Sequence, residues 1–228
     1  MATHFEMELD NLKSIIKKIG KLAEGQVNEA VKVLLQEPEA AEGKTIKKTE
    51  NKIDKLDVKI DEVCQSIFAL QQPVASDLRF IMASLQISNE IERIGDLAVS
   101  VIKRAKNIKE KHDLISKFEI GDLAKEVELI TAKTNECLQT LDENTIFEIL
   151  LLNKTIKSKG DTIIEHIIDE MKSHSKVVVS GTNLVIALKH LERISDHCSN
   201  IAEYVYFMVN AKIIKHEKHE DLNINKLD

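Results

Sequence analysis

The sequence predicts an all-α protein built as two tandem three-helix bundles related by internal duplication. Three observations carry that prediction. The 228 residues are 43% apolar, 31% charged and 4% aromatic, with seven Gly and two Pro, a balance that suits long amphipathic helices and supplies few turn residues for sheet. Apolar residues recur in steps of three and four over long stretches, the period of one buried helix face. The word Glu-Arg-Ile-X-Asp is written twice, at 92–96 and at 192–196, and each copy stands near the end of one half of the chain.

The breaks place the elements. Glu37-Pro38, Gln72-Pro73, the polar stretch 109–116, Asp142-Glu143-Asn144 and the region 174–182 divide the chain into six long helical segments. Thr145-Ile-Phe-Glu148 has the form of a capping box and marks the start of the fifth. Residues 1–112 make the first bundle and 113–212 the second. Residues 213–228 lose apolar periodicity and read as a flexible tail.

The second segment has Ile53, Leu56, Ile60, Val63 and Ile67 as its seam and Glu50, Asp54, Asp57 and Asp61 as an acidic stripe on one flank. Like charges at that spacing repel by a few tenths of a kcal/mol each, so the stripe is costly unless cations neutralise it. The third segment has Ile87, Ile91, Ile94, Ala98, Val101 and Ala105 as seam, and the wheel turns Glu92 and Asp96 roughly 160° away from it, onto the outer face. In the fifth, Asp161 and Glu165 flank Ile163, Ile164, Ile167, Ile168 and Met171. The sixth repeats the third: Leu184, Leu188, Leu191, Ile194, Cys198, Ile201 and Val205 form the seam, and Glu192 and Asp196 point outward.

If neighbouring helices bring these stripes together, each half presents four or more carboxylates, a multinuclear cation site. Oxygen-only ligation favours Mg²⁺, Mn²⁺ or iron over a Cys/His zinc site. The alternative is a solvated charged face. Only four of the 32 basic residues are Arg, and Arg93 and Arg193 sit at the same place in the repeated word, where a guanidinium fork could orient the carboxylates.

Other function classes lack support. A net charge of −6 and a pI near 5.8 argue against nucleic-acid binding. Cys64, Cys137 and Cys198 are widely spaced and read as reduced buried thiols. No Gly-rich phosphate loop and no nucleophile constellation occurs, so the protein reads as a non-enzyme. The absence of Glu-x-x-His weakens a di-iron bundle oxidase, and His190 and His197 beside the second motif read as surface groups rather than ligands. No apolar run approaches the ~18 residues of a membrane span, which points to a soluble, cytoplasmic protein. Tyr204, Tyr206 and Phe207 cannot share one seam, so at least one is expected at a partner or self-association surface, and a homodimer is the expected assembly.

The stretches QQPVASDLRFIMASLQISNEIERIGDLA and LVIALKHLERISDHCSNIAEYVY are similar to those of the PhoU family, and the resemblance runs from about residue 5 to 212. It implies a fold of two three-helix bundles, a cytoplasmic location with recruitment to the inner membrane face through a transporter, and a regulatory role. PhoU-like proteins couple the ATPase subunit of the phosphate transporter to a sensor histidine kinase and restrain phosphate uptake and starvation signalling. The resemblance also implies multinuclear metal clusters, iron first, with Mn, Mg or Zn as alternatives. Carried over by motif, the metal residues are Glu50, Asp54, Glu92 and Asp96 in the first half and Asp161, Glu165, Glu192 and Asp196 in the second, with Arg93, Arg193, Asp57, Asn200 and Glu203 in support. Two positions depart from the family pattern: Lys157 stands where an acidic residue is usual, and Ser195 replaces the motif glycine, so the second cluster is expected to hold fewer metals or none. The rival expectations are an iron-handling helical metalloprotein or oxidase and a metal-free helical scaffold.

Overall fold

A computed structural model describes residues 3–36, 43–109 and 111–214. The described residues hold seven α-helices, a single 3-10 turn and no strand: α1 (His4–Leu35), α2 (Gly43–Gln71), α3 (Ala75–Ala105), α4 (Lys111–Lys117), α5 (Ile120–Thr140), α6 (Glu143–Ser173), the turn Ser175–Val177 and α7 (Val178–Asn210). Helices α1–α3 form one bundle and α5–α7 the other, as the duplication predicts. The short α4 begins inside the stretch expected to be a break and ends one residue beyond it. The break expected at Glu37-Pro38 and most of the tail lie outside the described residues. Ile214, at the start of that tail, is buried.

Local chemistry sets the helix starts. Thr3 caps α1 in a full capping box, accepting from the Glu6 amide while its own amide donates to Glu6 Oε2 at 2.7 Å. At the α5–α6 turn, Leu141 takes a left-handed conformation (φ 54°) that ends α5, and Asp142 then caps α6 by accepting from the Thr145 amide at 2.8 Å. The fifth segment therefore starts three residues before the expected Thr145 box. Asp142 wins because its carboxylate accepts from both the amide and the hydroxyl of Thr145.

Every seam residue expected on α3 and α7 is buried. On α2 and α6 the seams are less complete, with Leu56 and Ile163 half-buried and Ile168 exposed. The two bundles share one packed core because α3 lies antiparallel along α7 and α1 lies against α5. Polar bonds fix the α3–α7 register: Lys109 N donates to Ser180 Oγ at 3.0 Å, His197 Nδ1 meets Glu90 Oε2 at 2.5 Å, Asn200 donates to the same oxygen at 3.0 Å, and Tyr204 donates to Gln86 at 3.4 Å. At the α1–α5 crossing Asn135 donates to Gly20 O and to Glu24 Oε2. A Cβ on Gly20 would lie 2.3 Å from Asn135 Oδ1, so glycine permits that approach.

The late aromatics find contacts within the chain. Tyr206 meets Phe147 edge to face at 6.3 Å, Tyr204 reaches Gln86, and Phe207 lines an apolar groove with Met82 and Ile213.

Candidate metal centre and its counterpart

Helices α2 and α3 hold the first acidic group. Asp57 accepts from Ser88 Oγ at 2.5 Å, which ties the α2 stripe to α3 one turn before Glu92. Burial holds the Glu92 carboxyl above its usual range, and Asp96 adds to the rise; Arg93 pulls it back, and Asp57 and Asp54 raise it further. Four carboxylates, Asp54, Asp57, Glu92 and Asp96, therefore share one field. Arg93 Nε is 3.5 Å from Glu92, and among the described residues no Lys or Arg pairs with Asp54, Asp57 or Asp96. Glu50, farther along α2, is not among the groups that shift Glu92.

Beneath this group Gln26 of α1 is 3% exposed, and neither of its amide atoms has a hydrogen-bond partner. It packs against Gly95, where a Cβ would lie 3.2 Å from Gln26 Oε1 and 3.1 Å from Ile53. The first half fits a hard cation by its donors: oxygen ligands, uncompensated negative charge and an unsatisfied amide nearby. Among the described residues no three Asp, Glu, His or Cys side chains yet converge tightly enough to grip an ion.

The second group, between α6 and α7, is built differently. Lys157 Nζ lies 2.9 Å from Asp196, and Asn153 donates to the same oxygen at 3.2 Å. Lys189 bridges two carboxylates, at 2.8 Å from Asp161 and 2.7 Å from Glu192. Ser195 Oγ donates to Asn153 Oδ1 at 2.8 Å, at the position where the first half has Gly95 packed on Ile53 and Gln26. Glu192 does not point outward as expected: its side chain is 8% exposed. The reason is Gly160 on α6, where a Cβ would stand 2.3 Å from Glu192 Oε1, so the carboxylate sinks against the helix backbone. The first half has Ile60 at the corresponding place, and Glu92 stays 25% exposed. Glu165 is exposed and outside this network.

The supporting residues divide. Asp57 joins the first group. Arg93 touches only its neighbour Glu92, and Arg193 is exposed. Asn200 belongs to the α3–α7 junction through Glu90, and Glu203 lines the groove beside Phe207. His197 is held by Glu90, while burial first, then Arg193 and Arg104, lower the pKa of His190, whose Nδ1 is buried without a partner. Sequence reasoning missed Lys189, Asn153 and Gly160. Sliding one half over the other by the 100-residue spacing of the repeated word would have found them, because Asn89, Ile53 and Ile60 are their counterparts.

Comparison with known proteins agrees with this two-fold build. The PhoU domain model matches twice, over residues 16–105 and 120–205. A phosphate-specific transport system accessory protein PhoU homolog of Pseudomonas aeruginosa is 28% identical over 217 residues, covering 95% of this chain and 89% of that protein. The phosphate-specific transport system accessory protein PhoU of Escherichia coli is 24% identical over 220 residues, covering 96% and 90%. The crystal structure of PhoU from Pseudomonas aeruginosa superposes with a TM-score of 0.84 at 27% identity, covering 92% of this chain and all of that one. A Streptococcus pneumoniae phosphate transport system regulatory protein PhoU, at 21% identity and a TM-score of 0.81, shares the fold. With a matching domain in each bundle and the same architecture throughout, the chain belongs to the PhoU family.

Proposed function

We propose that this protein is a non-enzymatic negative regulator of phosphate uptake and phosphate-starvation signalling. It acts as a metal-binding adaptor between the ATPase subunit of a phosphate ABC transporter and a sensor histidine kinase. The observation that carries the reading is the match of both bundles to relatives named as accessory proteins of the phosphate-specific transport system. The chain works at the inner face of the membrane by docking on the transporter, as a homodimer. Among the described residues no helix is long and apolar enough to cross a membrane.

In the first half Asp54, Asp57, Glu92 and Asp96 would hold the metal, iron first and Mn, Mg or Zn as alternatives. Bound there, a cation would supply the positive charge that these carboxylates lack. The chain's own contribution is positional: Ser88 fixes Asp57 against α3, and the buried α3 seam fixes the face that carries Glu92 and Asp96.

The direct test is deletion of the gene with a phosphate-starvation reporter read in high phosphate. Derepression is expected, and reporter activity that stays repressed overturns the regulatory reading. Pull-down of the transporter ATPase tests the adaptor role. Metal content of the purified protein, compared with Glu92→Ala/Asp96→Ala, tests the site, and unchanged stoichiometry overturns it.

A further inference from the structure

The two copies of Glu-Arg-Ile-X-Asp are equivalent in space as well as in sequence. Gly95 packs on Ile53 where Ser195 bonds Asn153, so α2 with α3 and α6 with α7 share one register with an offset of 100 residues. In that register the surroundings of the two acid pairs can be compared position by position. On the α2–α3 side the compared positions beside Glu92 and Asp96 are Asp54, Asp57, Asp61 and Asn89, of which Asp57 and Asp54 act on Glu92. The matching positions beside Glu192 and Asp196 are Lys154, Lys157, Asp161 and Lys189, and Lys157, Asp161 and Lys189 are bonded into that group. Five acidic residues without a lysine become three acidic residues with three lysines, and the second set is formally neutral.

We infer that the second half has replaced the cation of the first with ammonium groups of its own chain, so that Lys157 and Lys189 close α6 onto α7 and exclude a metal there. The inference rests on the metal reading proposed for the first half and adds where in the chain that reading stops. Three features carry it. Both ammonium groups are at bonding distance, between 2.7 and 2.9 Å, from the carboxylates that a metal would need. Ligand oxygens are spent: Asp196 Oδ1 accepts from Lys157 and Asn153 together, and Glu192 Oε2 from Lys189. The remaining oxygen of Glu192 is pressed into the space that only glycine at 160 leaves free, turned toward the α6 backbone. A divalent ion would have to displace two cations and draw Glu192 out of a packed position.

Equilibrium titration of the metal-free full chain with Mn²⁺, read by the loss of the free-ion EPR signal, tests this. Glu192→Gln/Asp196→Asn should leave the Mn²⁺ stoichiometry and affinity of the natural chain unchanged, whereas Glu92→Gln/Asp96→Asn should abolish binding. Lys157→Asp/Lys189→Asn, which writes the first-half residues into the second, should add a binding class within about tenfold of the first-half affinity. Adding Asp196→Asn to that variant should remove the new class. Circular dichroism checks the fold, and Lys157→Gln/Lys189→Gln replaces the bolder variant if that one unfolds. Weaker binding in Glu192→Gln/Asp196→Asn, or no gained class in a folded lysine variant, overturns the inference. A natural chain that binds no Mn²⁺ would refute the first-half metal reading alone, and the gain in the lysine variants would still decide this one.

Discussion

Among the described residues Lys189 is the only bonded partner of the buried Glu192 carboxylate, so Lys189→Met should destabilise the protein in a pH-dependent way. Removing one member of a fully buried ion pair costs about 3–5 kcal/mol. Lys189 keeps 47% of its side chain in water, which screens the pair and reduces the expected cost to about 1–2 kcal/mol. For a chain of this length that is a fall in Tm of about 2–8 °C. The sign with pH follows from Glu192. Burial pushes its carboxyl up, and the Lys189 bond and charge pull it back, so the variant raises it further. A carboxyl raised in the folded state contributes stability that is fully present below its unfolded value and is lost as pH rises through the folded value. The gap between natural chain and variant should therefore be full near about pH 7 and shrink towards about pH 5, and Glu192→Gln on the variant should recover most of the loss. Urea unfolding at both pH values measures it. A variant as stable as the natural chain at neutral pH, or a gap that widens on acidification, would refute the reasoning.

Two further outcomes test the packing. Gly160→Ala gains about 1 kcal/mol of helix propensity but drives a Cβ into Glu192, an overpacking cost of about 1–3 kcal/mol, while Gly25→Ala meets nothing within 4 Å and keeps the gain. Urea unfolding should therefore rank Gly25→Ala above the natural chain and Gly160→Ala below Gly25→Ala. Burial pushes the thiols of Cys64 and Cys137 up to about 12 and that of Cys198 up to about 11, so a thiol reagent should label none in the folded protein and all three in denaturant.

What the sequence made legible was whatever a single helix determines. The α3 and α7 seams read correctly because each pattern is fixed by one helix's period, and residues such as Ile94 and Ile194 have no other place to go. Glu192 read wrongly for the opposite reason. A helical wheel assigns inside and outside against one core, but α7 is packed against α3, α5 and α6, and its face away from the seam lies on α6. Whether a carboxylate there is exposed depends on the residue across from it, and Ile60 and Gly160 give opposite answers. The α6 start was missed by a similar competition, since Asp142 and Thr145 both make plausible caps and only geometry shows which one accepts the free amide.

The unit of function in this chain is accordingly the helix pair rather than the repeated word. Glu-Arg-Ile-X-Asp occurs in both halves, yet its acids meet partners of opposite charge character: Glu92 shares its surroundings with Asp54, Asp57 and Asp96, whereas Glu192 and Asp196 are paired with Lys189 and Lys157. The word ties each copy to the core, because Ile94 and Ile194 within it are buried. The helices opposite it, α2 and α6, make no comparable contribution to that junction, and they differ in charge. A carboxylate pair held near a helix interface must be neutralised by something. The second half meets it with Lys157 and Lys189; on the reading proposed above, the first half would leave it to a cation from solution.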